Sequence, residues 1–320
     1  MTDFKEKIVS ELDVLRRISV TEPAGVFKER SYAAAIKLLT ALSHIRSVAD
    51  LPPNQKGSGL GADIRAKIAT IIEKGALDIG PEVRARATAL EIFQGIYGVG
   101  PKKAQELVAA GYTSIAALRA AAPSLFNKNQ LIGLRYYEQL LARIPRAEMD
   151  KHAALLMSAK PATLEGVIVG SYRRGRPDSG DIDMLVRSTD PNAMADFVAA
   201  LQATGYIREV LAHGDHKCMA ICELPGQAKK ARRLDILLTP PEEFPFAVFY
   251  FTGSDTFNVA VRAHALSRGW TLNEHAITQV RSGKRVSGVR SEQDLFKLLK
   301  LRWVEPAERT GPEAVVSVGP

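Results

Sequence analysis

The stretch GSYRRGRPDSGDIDMLV, residues 170–186, and its distant companion RRLDILL, residues 232–238, decide the reading of this chain. Both DIDMLV and LDILL are short apolar runs of strand length, broken by acids at Asp181, Asp183 and Asp235. Side chains alternate across a strand, so Asp181 and Asp183 project from one face. Two carboxylates held that close repel each other unless a cation neutralises them. Oxygen-only ligands suit Mg²⁺, which binds through a few carboxylates together with substrate phosphates. Asp235, on a second strand, supplies a third carboxylate. Three carboxylates and a triphosphate hold two ions about 3.5–4 Å apart in the arrangement used for in-line phosphoryl displacement. The turn before the first strand adds donors. Gly170 and Ser171 offer backbone N–H groups and a hydroxyl, and Arg173 and Arg174 offer planar forks suited to phosphate oxygens. An Asp-x-Asp pair alone is usually a solvated strand end. The meaning here lies in the combination.

Outward from this pair, the chain falls into two halves that meet near residue 162. On the far side, LEGVIVGSYRRG reads as a strand running into a turn, PNAMADFVAALQATGY as a helix, and IREVLAHG, KCMAICEL and RRLDILLTP as strands. FNVAVRAHALSRG reads as a further helix. On the near side the pattern is helical: SYAAAIKLLTAL is rich in Ala and Leu, LPPNQKG breaks it, and GLGADIRAKIATIIEKGAL is a turn and a helix that stops at Gly75. GLGADIRAKI at 59–68 resembles GVGPKKAQEL at 98–107, each a Gly-apolar-Gly turn opening a helix. The final stretch, EPAERTGPEAVVSVGP, is expected to be a disordered tail.

Composition limits the function classes. The 320 residues carry a formal net charge of +8 with a pI of about 9.4, a balance that favours polyanionic partners. No apolar run approaches the ~18 residues of a membrane span, and the opening MTDFKEKIVSELDVLRRI mixes acids with bases as an amphipathic helix does, unlike a leader. The two cysteines, Cys218 and Cys222, exclude a disulfide scaffold. Their spacing with His213 and His216 does not match a zinc finger or ribbon.

Gly-Ser, paired arginines, Asp-x-Asp and a late strand aspartate together resemble the nucleotidyltransferase superfamily. GVGPKKA, IGLRYYEQLLARIPRAEM, VGSYRRG, SGDIDML, RRLDI, YFTGSDTFNVAVRAHALSRG and TLNEHAI extend the resemblance, over nearly the whole chain, to the family X DNA polymerases of the beta type. That resemblance implies an α+β multi-domain protein. A helical end domain (1–85, lyase-like, with the first helix-hairpin-helix motif) precedes a helical DNA-binding subdomain (86–145, with the second), a nucleotidyltransferase α/β palm (146–240), a small α/β nucleotide-selecting subdomain (241–305) and the tail (306–320).

The resemblance further implies template-directed gap filling: transfer of a deoxynucleotide to a primer 3′-hydroxyl with release of pyrophosphate, as in base excision repair. Asp181, Asp183 and Asp235 would hold two Mg²⁺ ions, with Mn²⁺ able to substitute. Arg143, Gly170, Ser171, Arg174 and Gly180 would hold the triphosphate. Tyr250 and Phe251 would crowd the ribose 2′ position, Gly253 would allow an unusual backbone, Asp255 would pack on the base, and Asn258 would contact the minor-groove edge with Arg262. Gly59, Gly61, Gly98 and Gly100 would bring backbone N–H groups to DNA phosphates around a bound Na⁺ or K⁺, and Arg233 would contact DNA. Lys67 would be the Schiff-base nucleophile of a 5′-deoxyribose-phosphate lyase, with Lys28 and Tyr32 in its pocket. The expected partners are gapped or primer–template DNA and dNTPs, the chain acting as a soluble intracellular monomer in a nucleus, nucleoid or viral compartment.

The sequence departs from the family at four places. Asp63 stands where the family has a phosphate-binding lysine and Phe27 where it has a pocket histidine, which weakens the lyase expectation. Leu237 replaces an arginine tied to opening and closing, and His275 replaces a tyrosine. Two competing readings are a template-independent terminal transferase, for which GQAKKA leaves little loop, and a non-catalytic DNA-binding scaffold.

Overall fold

The computed structural model of the chain describes residues 2–22, 25–53, 60–121, 124–190, 192–227 and 230–319. Gly59 lies outside the described residues. The chain divides into two units, Met1–Tyr137 and Glu138–Pro320.

The first unit is helical. It contains α1 (Lys5–Ser19), α2 (Val26–Ala41), α3 (Ala62–Lys74), α4 (Pro81–Gln94), α5 (Pro101–Ala109), α6 (Ile115–Ala121) and α7 (Lys128–Arg135). The sequence sets several boundaries directly. Gly80-Pro81 and Gly100-Pro101 each place a proline at the first helical position, where the missing N–H costs nothing. Gly75 ends α3 in the left-handed conformation. Asn127 and Gln130 form a reciprocal cap at the start of α7. Ile8, Leu12, Leu39, Ile64, Ile68 and Ile71 make one core, and Leu90, Phe93, Ile96, Val99, Leu107 and Leu118 another. Buried Glu11 on α1 accepts from both terminal nitrogens of Arg84 on α4, at 3.1 and 2.8 Å, and from the Leu77 N–H. Burial pushes its carboxyl upward, but Arg84 and Leu77 outweigh that and hold it below the usual range. The expected domain boundary at residue 85 lies within α4, whose Arg84 is tied to α1.

The second unit begins within α8 (Tyr137–Leu141), followed by β1 (Ile144–Pro145), α9 (Arg146–Ala159), β2 (Glu165–Ile168), α10 (Gly170–Arg173), β3 (Asp178–Ser179), β4 (Ile182–Arg187), α11 (Ala193–Ala203), β5 (Ile207–His213), β6 (Lys217–Cys222) and β7 (Arg232–Thr239). Strands β2-β4-β7-β6-β5 form one sheet, in which only β4 and β7 run parallel. Met184, Val186, Leu234 and Ile236 face α9 and α11, where Met149, Leu156, Phe197 and Leu201 complete the core. The opposite parity carries Asp183, Leu185, Asp235 and Leu237. Leu185 and Leu237 pack there with Ala247 and Val248, from α12 (Phe244–Thr252). After α12 come α13 (Asp255–Ser267), β8 (Trp270–Leu272), β9 (Ile277–Gln279) and α14 (Glu292–Leu298), packed around Phe249, Phe257, Phe296 and Leu295.

The expected disordered tail is also corrected. Leu301 pairs with Ser317, 3-10 turns occupy Pro306–Glu308 and Pro312–Ala314, and Ala314 and Val315 pack on the aromatic core. Arg309 is 0% exposed. A stretch with so few large apolar residues cannot drive its own folding. It is ordered because a neighbouring carboxylate and four aromatic rings receive its arginine.

One buried group makes the core beneath the five-stranded sheet pH-sensitive. His152 on α9 shares a 2.7 Å hydrogen bond between Nδ1 and the Tyr206 hydroxyl. Burial lowers its pKa from 6.5 to about 4, Arg232 pushing the same way and Glu148 opposing. The unfolded chain therefore takes up a proton that the folded chain refuses. Stability is full above pH 6.5 and is lost as pH falls toward about 4. The expected result is a melting temperature that drops across this window in the wild type and falls less steeply in His152→Gln. Equal slopes would contradict it.

Candidate active site

The parallel pairing of β4 and β7 sets Asp183 directly opposite Asp235. Neighbouring strands lie ~5 Å apart, so the two carboxylates share one small volume on the same face. Burial and then the Asp235 charge raise Asp183 from 3.8 to about 6. Burial also raises Asp235, opposed by Arg233 and Lys217. Asp235 Oδ1 is buried without a hydrogen-bond partner. A pair of inward-facing carboxylates with an unsatisfied oxygen is what a hard divalent cation relieves, so these residues fit one.

Asp181 stands differently. It precedes β4 and its carboxylate is ion-paired with Arg233 Nη2. Arg233 Nε lies 3.8 Å from Asp235 Oδ1, beyond hydrogen-bond reach. Arg233 thus occupies the space between the first and third aspartates. Among the described residues, no group of three or more His, Cys, Asp or Glu side chains stands close enough to hold a metal ion. The structure joins two of the three predicted carboxylates, while the third is engaged by an arginine that charge pairing draws in.

The GSYRR turn closes over this pair. Instead of the turn the sequence suggests, Gly170–Arg173 is a single helical turn. Gly170 has φ +63°, and a Cβ there would sit 2.7 Å from Asp183 Oδ2, so conformation and space both require glycine. The Ser171 hydroxyl donates to Ser179 at 2.9 Å. Arg174 donates to the Thr252 carbonyl, and its Nε is buried without a partner. Burial, then Arg176, lowers the pKa of its guanidinium, a cost that a bound anion would offset. Arg173 is committed elsewhere: it binds Glu292 Oε2 at 2.6 Å and Thr252 Oγ1 at 2.6 Å. Its reading as a phosphate donor is therefore corrected.

Arg143 donates through Nε and Nη2 to Asp178 Oδ1, at 3.0 and 2.6 Å. A Cβ on Gly180 would stand 3.0 Å from Arg143 Nη1, so the two positions adjoin. Tyr250 and Phe251 meet edge to face at 5.2 Å. Gly253 has φ +66° and leaves room for Arg174, whose Nη1 would be 3.0 Å from an added Cβ. Asp255 opens α13 and is exposed. Asn258 is buried, not on a solvated face; its Nδ2 donates to the Tyr250 carbonyl at 2.7 Å, while Oδ1 has no partner. Arg262, one turn on, is exposed.

In the first unit, Gly61 and Gly100 are the residues from which α3 and α5 start. Gly98 has φ +81°, and its carbonyl accepts from Gln130 Nε2 at 2.9 Å. Lys28, Tyr32, Asp63 and Lys67 line one cleft of about 870 Å³, with Phe27 exposed at its side. Lys67 is ion-paired with Asp63, and Lys28 with Glu22 at 2.8 Å.

Sequence reasoning missed three groups. Lys217 lies across the ladder from Leu237 and its charge acts on both Asp183 and Asp235; strand parity in KCMAIC was the available signal. Glu148 grips Arg232, and Glu292 joins Arg173 to Arg309. No local pattern signals either contact.

Comparison with known proteins agrees with this geometry. Three family models match in chain order: the fingers domain of DNA polymerase lambda over residues 91–141, the DNA polymerase beta palm over 143–241 and the DNA polymerase beta thumb over 247–310. DNA polymerase lambda of Rattus norvegicus is 31% identical, the match covering 96% of this chain and 56% of the relative. DNA polymerase lambda of Arabidopsis thaliana is 29% identical, over 87% of this chain and 57% of the relative. The chain thus spans little more than half the length of these curated relatives. With fingers, palm and thumb matched in order and the paired aspartates on adjacent parallel strands, the chain belongs to the family X DNA polymerases.

Proposed function

We propose that this chain is a template-directed DNA polymerase that fills short gaps, transferring a deoxynucleotide to a primer 3′-hydroxyl and releasing pyrophosphate. The observation that carries the reading is the Asp183–Asp235 pair on neighbouring parallel strands, roofed by the Gly170–Arg173 turn. Two Mg²⁺ ions bound there would neutralise charge on the phosphates and lower the cost of ionising the attacking hydroxyl. Asp183 and Asp235 would hold them, and Asp181 would be free to join them only if Arg233, its ion-pair partner, turned to the DNA backbone. Asp235 Oδ1 is buried without a hydrogen-bond partner in the protein, which leaves it available to a cation. Ser171, Arg174, Arg143 and Gly180 bind and orient the triphosphate, and Arg174 stabilises the charge that develops on the leaving pyrophosphate. Tyr250, Phe251 and Gly253 shape the sugar site, Asp255 and Asn258 the base site, and Arg262 lies against the DNA.

The N–H groups at Gly61 and Gly100 suit DNA phosphates, with a monovalent cation at the neighbouring carbonyls. The substrates are gapped or primer–template DNA and dNTPs, and the active species is a monomer. Among the described residues no helix is long and apolar enough to cross a membrane. Strand β6 ends at Cys222 and β7 begins at Arg232, a connection too short for the long loop of a template-independent enzyme. The test is insertion on a one-nucleotide gap with single dNTPs and Mg²⁺. Insertion of the complementary base alone supports the reading, indiscriminate addition favours a terminal transferase, and no addition favours a DNA-binding scaffold.

A second activity, 5′-deoxyribose-phosphate removal, is favoured by the cleft around Lys67. An attacking amine must be neutral and unpaired, whereas Lys67 is held by Asp63. Asp63→Lys removes that partner and adds a phosphate contact. Borohydride trapping on a 5′-deoxyribose-phosphate gap should rise about tenfold in Asp63→Lys and vanish in Lys67→Ala. Trapping that survives Lys67→Ala would assign the nucleophile to another residue.

A further inference from the structure

The residues proposed to hold the triphosphate surround an acid that the proposed reaction does not use. From Gly170 to Gly180 the sequence carries Arg173, Arg174 and Arg176 but a single carboxylate, Asp178. Asp178 and Ser179 form β3, which pairs antiparallel with β1, Pro145 lying opposite Asp178 and Ile144 opposite Ser179. Side chains alternate along such a ribbon. Ser179 is buried and receives the Ser171 hydroxyl at 2.9 Å. Asp178 takes the other side and meets Arg143, the residue that leads into β1. Strand register therefore builds this contact, beside Ser171 and Gly180.

A guanidinium has five N–H donors in one plane, and Asp178 engages three of those on Arg143. Nε and Nη2 donate to Asp178 Oδ1 at 3.0 and 2.6 Å, and Nη2 also donates to the Asp178 carbonyl at 3.3 Å. Nη1 lies over Gly180, 3.0 Å from where a Cβ would stand. Arginine holds a phosphate best through two parallel N–H groups, and the edge formed by Nε and Nη2 already faces a carboxylate. The pair is open to water, Arg143 being 57% and Asp178 45% exposed. It adds little to stability and can give way to a stronger anion. A bound triphosphate either displaces the carboxylate or shares the guanidinium with it. Both lower affinity: the first breaks charge-assisted hydrogen bonds, and the second sets two anions against one cation.

We propose that Asp178 is a built-in competitor for Arg143 that restrains the affinity of this site for the triphosphate of the incoming deoxynucleotide. An anion takes the arginine over only when it carries enough phosphate charge to outbid the carboxylate. Asp178 itself touches no substrate and acts through Arg143. The inference rests on the polymerase reading above, which assigns Arg143 to the triphosphate. Its signature has a definite sign: neutralising Asp178 strengthens binding, whereas a carboxylate that served to orient Arg143 would weaken binding when lost.

The test uses the whole chain on gapped DNA with a dideoxy-terminated primer and Mg²⁺. A non-hydrolysable complementary dNTP analogue is titrated for its Kd at low and high salt, and inorganic tripolyphosphate, titrated in the same way, reads the phosphate part alone. Asp178→Asn keeps the shape and removes the charge. It should lower both Kd values about fivefold at low salt. The gain should shrink to less than about twofold at high salt, because the pair is exposed and screened. The melting temperature should move by less than about 1 °C. Arg143→Ala should raise both Kd values about tenfold. Adding Asp178→Asn to it should gain less than about twofold, since the competitor then has nothing to hold. An unchanged or raised Kd in Asp178→Asn overturns the proposal. An equal gain with and without Arg143 also overturns it, making Asp178 a general repulsive charge. If Arg143→Ala fails to fold, Arg143→Gln takes its place in the same comparison. If the wild type binds tripolyphosphate but inserts nothing on an extendable primer, the polymerase reading fails, and the tripolyphosphate Kd values of the variants still support or overturn the competition. If the wild type binds neither ligand, the proposal fails as well.

Discussion

Asp235→Ala is expected to abolish insertion, lowering the single-turnover rate by about 10³-fold or more, while the protein remains at least as stable as the wild type. The rate loss follows from removing one of two carboxylates that share a buried volume, when transition-state electrostatics of this kind contribute several kcal/mol. The stability expectation has the opposite sign for a definite reason. Asp183 has a folded pKa of about 6 against 3.8 unfolded, raised by burial and by Asp235. Stability present below pH 3.8 is therefore lost as pH rises through about 6, so in the metal-free protein this pair opposes folding at neutral pH. Deleting Asp235 relieves part of that cost. Mg²⁺ should raise the melting temperature of the wild type at pH 7.5, and the increase should disappear in Asp235→Ala. Calorimetry with and without Mg²⁺, alongside single-nucleotide insertion, reads both effects. Insertion at a tenth of the wild-type rate would remove Asp235 from the mechanism. A collapsed melting temperature would mean that its role is structural.

Glu148→Ala is expected to destabilise the second unit by about 3–5 kcal/mol, the usual consequence of removing one partner of a buried ion pair. Arg232 Nε and Nη2 bond the Glu148 carboxylate at 2.6 and 3.1 Å, and both side chains are largely buried. Arg232 Nη1 also donates to the Gln139 and Ala142 carbonyls at 3.2 and 2.9 Å. The backbone N–H of Ala231 donates to Gln139 Oε1 at 2.8 Å. The pair therefore fastens the start of β7 to the stretch that delivers Arg143. Burial pushes Glu148 upward, but the Arg232 hydrogen bonds outweigh it and hold the carboxyl below its ordinary value. Without the carboxylate, the Arg232 charge stays buried with only carbonyl partners. A melting temperature lower by roughly 10 °C is expected for a unit of this size. The double variant Glu148→Leu/Arg232→Met should recover most of the loss, because replacing both charges removes the uncompensated one. A single variant that melts like the wild type, or a double variant worse than the single, would contradict this account.

Much of the fold and the carboxylate site can be read in the sequence because both rest on local periodicity. Alternation in DIDMLV and RRLDILL is enough to put Asp183 and Asp235 on strands with their side chains on one parity. Proline and glycine at Gly80-Pro81, Gly100-Pro101 and Gly75 fix helix ends through backbone geometry that needs no distant partner. The starts of α3 at Gly61 and of α5 at Gly100 are legible for the same reason. Helical periodicity says nothing about which helices pack together, so the contact of Glu11 with Arg84 across 73 positions was not legible.

What the sequence alone determined, then, is the chemistry available: three aspartates on strand patterns, a turn carrying glycine, serine and arginines before them, and a basic balance. The tertiary structure alone decided how these charges are shared. The strand register puts Asp183 against Asp235, and Arg233 takes Asp181. Arg173 is drawn off to Glu292, and Arg309 leaves an apparently unstructured stretch for an aromatic core. The physical reason is that alternation and capping act within a few residues, whereas a buried charge is satisfied by whichever partner the packed chain brings within about 4 Å.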